Sequence, residues 1–156
     1  MLIQILLLVS LTFYVTLGYI AVPVLFKMLP SFQAGEIAGV YLGIAHWQMV
    51  IMALLAWGLA TKDYAKQVSV KVSSWRLHLH FLFILLAEGM QLFKLSPAMQ
   101  ALKQQALQQT GQPLSHDSPL WHSFAQLHGL SQVLYLLSCL LVLKLLLFLS
   151  KTKAQV

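Results

Sequence analysis

"FAQLHGLSQVLYLLSCLLVLKLLLFL", residues 124–149, decides how the chain is read. Its only charged residue is Lys144, and the remainder is mostly Leu, Val and Phe with a few polar groups near the start. A helix needs ~20 predominantly apolar residues to cross ~30 Å of hydrocarbon. This stretch, taken as 123–149, is long enough, and so are 2–26, 37–60 and 76–95. The whole chain of 156 residues is 59% apolar and 9% charged, where a soluble domain carries ~25% charged residues. The spans leave no room for a soluble unit, so 1–156 reads as a single integral membrane domain. The predicted class is all-α, a four-span transmembrane helix bundle.

The net charge of +6 comes from residues scattered through short connections. Nucleic acid is therefore not an expected partner; the lipid bilayer is. Lys62, Lys66, Lys71 and Arg76 follow the second span, and Lys151 and Lys153 lie in the C-terminal tail. The opposite side carries Lys27, Lys94 and Lys103. Lys and Arg are enriched in cytoplasmic loops, which predicts an N-in/C-in topology; in a bacterium the membrane would be the cytoplasmic one. The first span has no Lys or Arg before Leu2, an apolar run too long for a signal peptide, and no A-x-A cleavage site, so it reads as retained. Cys139 is the only cysteine. It excludes an intramolecular disulfide and any cysteine-pair metal motif.

Several local signals organise the connections. Pro23 removes a backbone donor and predicts a bend toward the outer end of span one. Pro30-Ser31 marks a turn, with Ser31 as a helix cap and Glu36 near the positive end of the helix dipole. Gly35, Gly39 and Gly43, four residues apart, form one ridge on span two. Small residues at that spacing admit close helix approach, within the bundle or in a homo-oligomer. Ser96-Pro97 reads as an N-cap with Pro at the first helical position. It predicts a short amphipathic helix between spans three and four, stopped by Gly111 and lying at the outer surface.

The polar residues inside the spans carry the functional question. On span four, His128, Gln132, Tyr135 and Cys139 share one stripe, flanked by Ser131 and Ser138. On span three, Glu88, Gln91 and His80 lie on one side; on span two, His46 shares the glycine face. Counting rise places His46, Glu88, Gln91, His128 and Gln132 in the outer half of the bilayer, and they form the candidate intramembrane polar cluster. Ionisable groups in a span mark a functional site by default. The plainer reading for Gln91, Ser131, Gln132 and Tyr135 is interhelical hydrogen bonding that holds the bundle together. Glu88 stands apart, because a carboxylate is a poor choice where only packing is needed.

No catalytic residue is assigned. There is no glycine-rich phosphate loop, no G-x-S-x-G and no H-E-x-x-H. His116, Asp117 and His122 read as a solvated loop rather than a metal trap. No cofactor is expected, with haem held axially by His46 and His128, or a metal ion, as the alternative.

Two stretches carry a family resemblance. "VLFKMLPSFQAGEIAG", 24–39, and "LSPAMQALKQQ", 95–105, followed by "FAQLHGLSQVLYLLSCLL", 124–141, resemble in order the transmembrane protein 205-like family (bacterial-type domain of unknown function 4149). The resemblance implies a multi-pass membrane protein and brings no reaction, substrate or catalytic set. By motif it reaches Pro30, Ala34, Gly35, Pro97, His128, Gly129 and Ser131; His46 and Glu88 lie outside the matched stretches.

The expected function is therefore that of a non-enzymatic integral membrane protein, handling a small solute, metal ion or proton through the polar cluster. A haem- or metal-dependent membrane oxidoreductase and a structural or assembly protein are the rivals. The charge asymmetry is open to test in intact cells. A cysteine introduced within 62–71 should react only with membrane-permeant thiol reagents, and one within 104–118 with impermeant reagents too. The opposite labelling pattern would invert the topology.

Overall fold

The structure, a computed structural model, describes residues 2–66 and 74–153. Lys71 of the predicted basic connection lies outside the described residues. The elements are α1 (Leu2–Val15), a π-helical stretch (Thr16–Ala21), α2 (Val22–Met28), α3 (Ser31–Lys66), α4 (Ser74–Met90), a second π-helical stretch (Gln91–Leu95), α5 (Ser96–Thr110) and α6 (Trp121–Lys153). Among the described residues there is no strand. Four segments are long and apolar enough to cross a membrane: Leu2–Met28, Ser31–Lys62, Trp75–Thr110 and Trp121–Ser150. Hydrocarbon offers the backbone no hydrogen-bond partner, so a lipid-exposed span must satisfy itself as helix. The chain is a multi-pass integral membrane protein.

The spans pack in ring order. α1 lies against α3 and α6, and α4 lies against the same two helices. Short connections force consecutive spans to be antiparallel neighbours, as in up-and-down bundles. The seam of α3 is a run of small residues: Ala34, Ala38, Ala45, Ala53, Ala56 and Ala60 are all buried. In lipid, helix association rests on van der Waals packing, and alanine lets backbones approach. Below the middle of the bundle, Leu7, Leu77, Phe81, Ile84, Val142 and Leu145 fill the interior and are all almost wholly buried.

The glycine ridge has a different role from the expected close seam. It is offset by about 100° from Ala34 and Ala38 on the same helix. A Cβ added at Gly35 would lie 4.0 Å from Phe26, and one at Gly39 would lie 3.7 Å from Gln100 Nε2. Gly43 meets nothing within 4 Å, and opens on a shallow apolar groove with Val40, Ile44 and Trp47. The ridge gives room to α2 and α5, while the alanines make the tight contacts.

Both π stretches end just before a proline. The Val22 N–H bonds to the Leu17 carbonyl and the Ser96 N–H to the Gln91 carbonyl, five residues back instead of four. Proline lacks a donor, and its ring collides with the carbonyl four residues earlier. A widened turn ahead of Pro23 and Pro97 relieves that collision and keeps the helix running. Ser96 accordingly does not open a fresh helix after a turn. It is helical itself, at φ −62° and ψ −48°, so α5 continues directly from the third span. α5 is the expected helix between spans three and four. It packs on α6 and buries Ala106, and Lys103 Nζ sits 2.7 Å from Glu36 Oε1 of α3. Gly111 ends it at φ 68°, a left-handed value that glycine adopts without penalty.

The two kinds of small residue should respond differently to added bulk. Ala53→Leu puts three extra carbons into a filled seam and should destabilise the bundle by about 1–3 kcal/mol. Gly43→Leu enters open space and should leave the thermal midpoint in detergent unchanged. Equal losses in both variants would place the seam elsewhere.

Candidate functional site

Each of the four spans delivers one side chain to a single buried point. Tyr14 comes from α1, His46 from α3, Glu88 from α4 and Tyr135 from α6. Their exposures are 0%, 3%, 0% and 4%. Tyr14, His46 and Tyr135 stand at the midpoints of the spans Leu2–Met28, Ser31–Lys62 and Trp121–Ser150. These three residues therefore stand near the middle of their helices.

The core of the site is a three-way contact. His46 Nδ1 lies 2.6 Å from Glu88 Oε2 and 2.9 Å from the Tyr14 hydroxyl. The Tyr14 hydroxyl donates to Glu88 Oε1 at 3.0 Å, with Oε2 at 3.3 Å. The proton between His46 and Glu88 has two homes. Either the imidazole N–H donates to the carboxylate, or the carboxyl O–H donates to the ring nitrogen. Tyr135 stacks flat on Tyr14, with ring centroids 3.9 Å apart and planes 10° apart. His46 meets both tyrosines edge-on, at 5.6 Å each. The Tyr135 hydroxyl donates to the Tyr14 backbone carbonyl at 2.5 Å. Cys139, one turn along α6, is buried beside this group.

Gln91 belongs to a second, closed pair. Its Nε2 donates to the Ser131 carbonyl at 2.6 Å, and the Ser131 hydroxyl donates back to Gln91 Oε1 at 2.9 Å. With both ends of the amide engaged and the residue wholly buried, it ties the third span to the fourth. A third pair lies to the other side, where Gln48 Nε2 donates to Ser10 Oγ at 3.1 Å.

His128 and Gln132 are not brought into the site. Both are exposed on α6, and His128 stacks on Phe124 of its own helix at 6.0 Å. Helical phase puts them in line with Tyr135, but past Pro23 the first span packs on α3, and the N-terminal end of α6 keeps an open face. His46 and His128 therefore do not face each other as a pair of axial ligands would. Among the described residues, no three His, Cys, Asp or Glu side chains group closely enough to hold a metal ion. His80 also points elsewhere, its Nδ1 2.6 Å from the Arg76 carbonyl.

Sequence reasoning missed Tyr14 and Gly18. Ser10, Tyr14 and Gly18 recur every four residues on span one and form a polar and small stripe, which is the signal that marks its inward face. Glu88→Ala would leave His46 Nδ1 and the Tyr14 hydroxyl without their buried acceptor. Removing one partner of a buried pair costs about 3–5 kcal/mol. His128→Ala and Gln132→Ala sit on an open face and should stay within about 0.5 kcal/mol of the parent. Unfolding in mixed micelles would rank the three; comparable losses would contradict the geometry.

No curated protein and no solved structure matches the chain. The family described as "Domain of unknown function (DUF4149)" matches residues 5–108. That interval holds Tyr14, His46 and Glu88 together with both π stretches and both prolines that follow them, and the chain belongs to the DUF4149 family.

Proposed function

We propose that this protein is a proton-handling integral membrane protein, with His46, Glu88 and Tyr14 as its intramembrane proton-binding site. The observation that carries the reading is the 2.6 Å contact of an imidazole and a carboxyl group at 3% and 0% exposure, closed by a tyrosine hydroxyl. Asp, Lys or Arg at a helix centre costs about 2.5–3.5 kcal/mol on membrane-insertion scales, and such groups line ion and proton pathways. A glutamine would offer the same hydrogen-bond geometry without a titrating group, as Gln91 does one turn away. Keeping a carboxyl at 88 preserves a site that gains or loses a proton. The groups facing it are Tyr14 from α1, His46 from α3, and Tyr135 and Cys139 from α6. The positive-inside pattern supports cytoplasmic termini. The order of the motifs at 24–39, 95–105 and 124–141 supports kinship with the transmembrane protein 205-like family.

A structural reading competes, favoured by the complete burial of Glu88 and the closeness of its partners. Glu88→Gln separates the two. In lipid nanodiscs, the wild-type protein should show a carboxyl C=O infrared band that titrates with pH. The variant should lose that band while keeping its helical content and thermal midpoint. A wild-type protein without a titrating buried carboxyl, or a variant with the same pH response, would leave the structural reading in place.

A further inference from the structure

Tyr14 reaches Glu88 from the last turn before a π-helical stretch, and that turn is not self-contained. In a regular α-helix the Tyr14 carbonyl accepts from the Gly18 N–H. The Tyr14 carbonyl here accepts from the Tyr135 hydroxyl at 2.5 Å, and the Gly18 N–H faces that hydroxyl. A Cβ built on Gly18 would lie 2.5 Å from Tyr135 Cε1, 2.6 Å from its hydroxyl and 2.7 Å from Cζ. Every other glycine of the chain has at least 3.7 Å or open space. The hydroxyl of one span thus bonds a ladder carbonyl of another, at a spot that only glycine leaves open. Side chains inserted into the ladder are an established cause of local helix distortion, and π-turns recur at functional sites.

We propose that Tyr135 is a positioning residue for the proton site: inserted at Gly18, it holds the widened turn that aims the Tyr14 hydroxyl at Glu88 and His46. This rests on the proton-binding reading of the site. The stacked ring alone does not perform the task, because stacking constrains the ring of Tyr14 and not its backbone carbonyl. The hydroxyl does, since it is the group that bonds the Tyr14 carbonyl.

The test uses the full chain in lipid nanodiscs and follows the Glu88 carboxyl band against pH. Tyr135→Phe keeps the ring and the stack and removes the inserted hydroxyl. It should change the proton affinity of Glu88 by about three- to tenfold, the scale of one net hydrogen bond. The groups facing Glu88 are Tyr14, His46, Tyr135 and Cys139, and only one is altered. Gly18→Ala, whose Cβ must displace the same ring, should shift it in the same sense. Gly129→Ala, with nothing within 4 Å, should shift nothing. Incorporating 3-fluorotyrosine at 135 keeps the ring and the hydroxyl, alters the hydroxyl's donor strength, and should also move the band. An unmoved Glu88 band in folded Tyr135→Phe and fluorotyrosine proteins would overturn the assignment. If the wild-type carboxyl does not titrate at all, the proton reading fails by itself. The band position in Tyr135→Phe then still decides the positioning role: a shifted frequency supports it and an unshifted one overturns it.

Discussion

The contact between His46 and Glu88 is the constraint around which the bundle is arranged. Two ionisable groups in the middle of a membrane are tolerable only when they meet each other and their remaining hydrogen-bonding capacity is met. Meeting at 2.6 Å requires α3 and α4 to approach closely, and the alanine seam of α3 makes that approach available. The second carboxyl oxygen requires a donor from across the ring of helices, and Tyr14 of α1 supplies it. Tyr14 in turn is held by α6 through Tyr135. One polar contact therefore recruits all four spans, and the apolar packing below it serves to keep them in register.

The same architectural device appears twice in the two spans that run in the same direction. Tyr14 precedes Pro23 by nine residues, and Glu88 precedes Pro97 by nine. A π stretch lies between site residue and proline in each case. Proline in a helix interior removes a donor and costs about 3 kcal/mol or more in a soluble helix. Within a membrane the freed carbonyls also need partners from nearby groups. The widened turns absorb the ring, and beyond them side chains of α2 and α5 reach the N-terminal part of α3. There Phe26 lies over Gly35 and Gln100 over Gly39. Gly35 and Gly39 are landing places for these two segments.

The fold class was legible because hydrocarbon thickness imposes a length and a composition that no soluble core needs. His46 and Glu88 were legible for a related reason: an ionisable group in an apolar run is conspicuous. Tyr14 was not, since a tyrosine in a span is ordinary unless its four-residue relation to Ser10 and Gly18 is noticed. His128 and Gln132 were misplaced by an assumption hidden in helical phase. Phase says which residues share a face, but not how far along the helix a neighbour continues to cover it. Pro23 and the π stretch before it change that cover for the N-terminal end of α6, and no property of α6's own sequence records the change. Gln91, read as a cluster member or as interhelical glue, bonds the hydroxyl and carbonyl of Ser131 on α6 instead of the ionisable group.

Distributing one site over four spans also makes its assembly depend on the order of translation. Chains fold N-terminal part first as they are made. The first span is strongly apolar, at mean hydropathy 2.2, and can enter the membrane without help. The third is the least apolar of the four, at 1.3, and it carries Glu88. That span is made after Tyr14 and His46, so the carboxyl group follows both of its partners out of the ribosome. The fourth span, at 2.5, needs no polar assistance to insert, and its arrival brings Tyr135 to close the site. The ribosome thus delivers the costly residue only after the groups that make it tolerable.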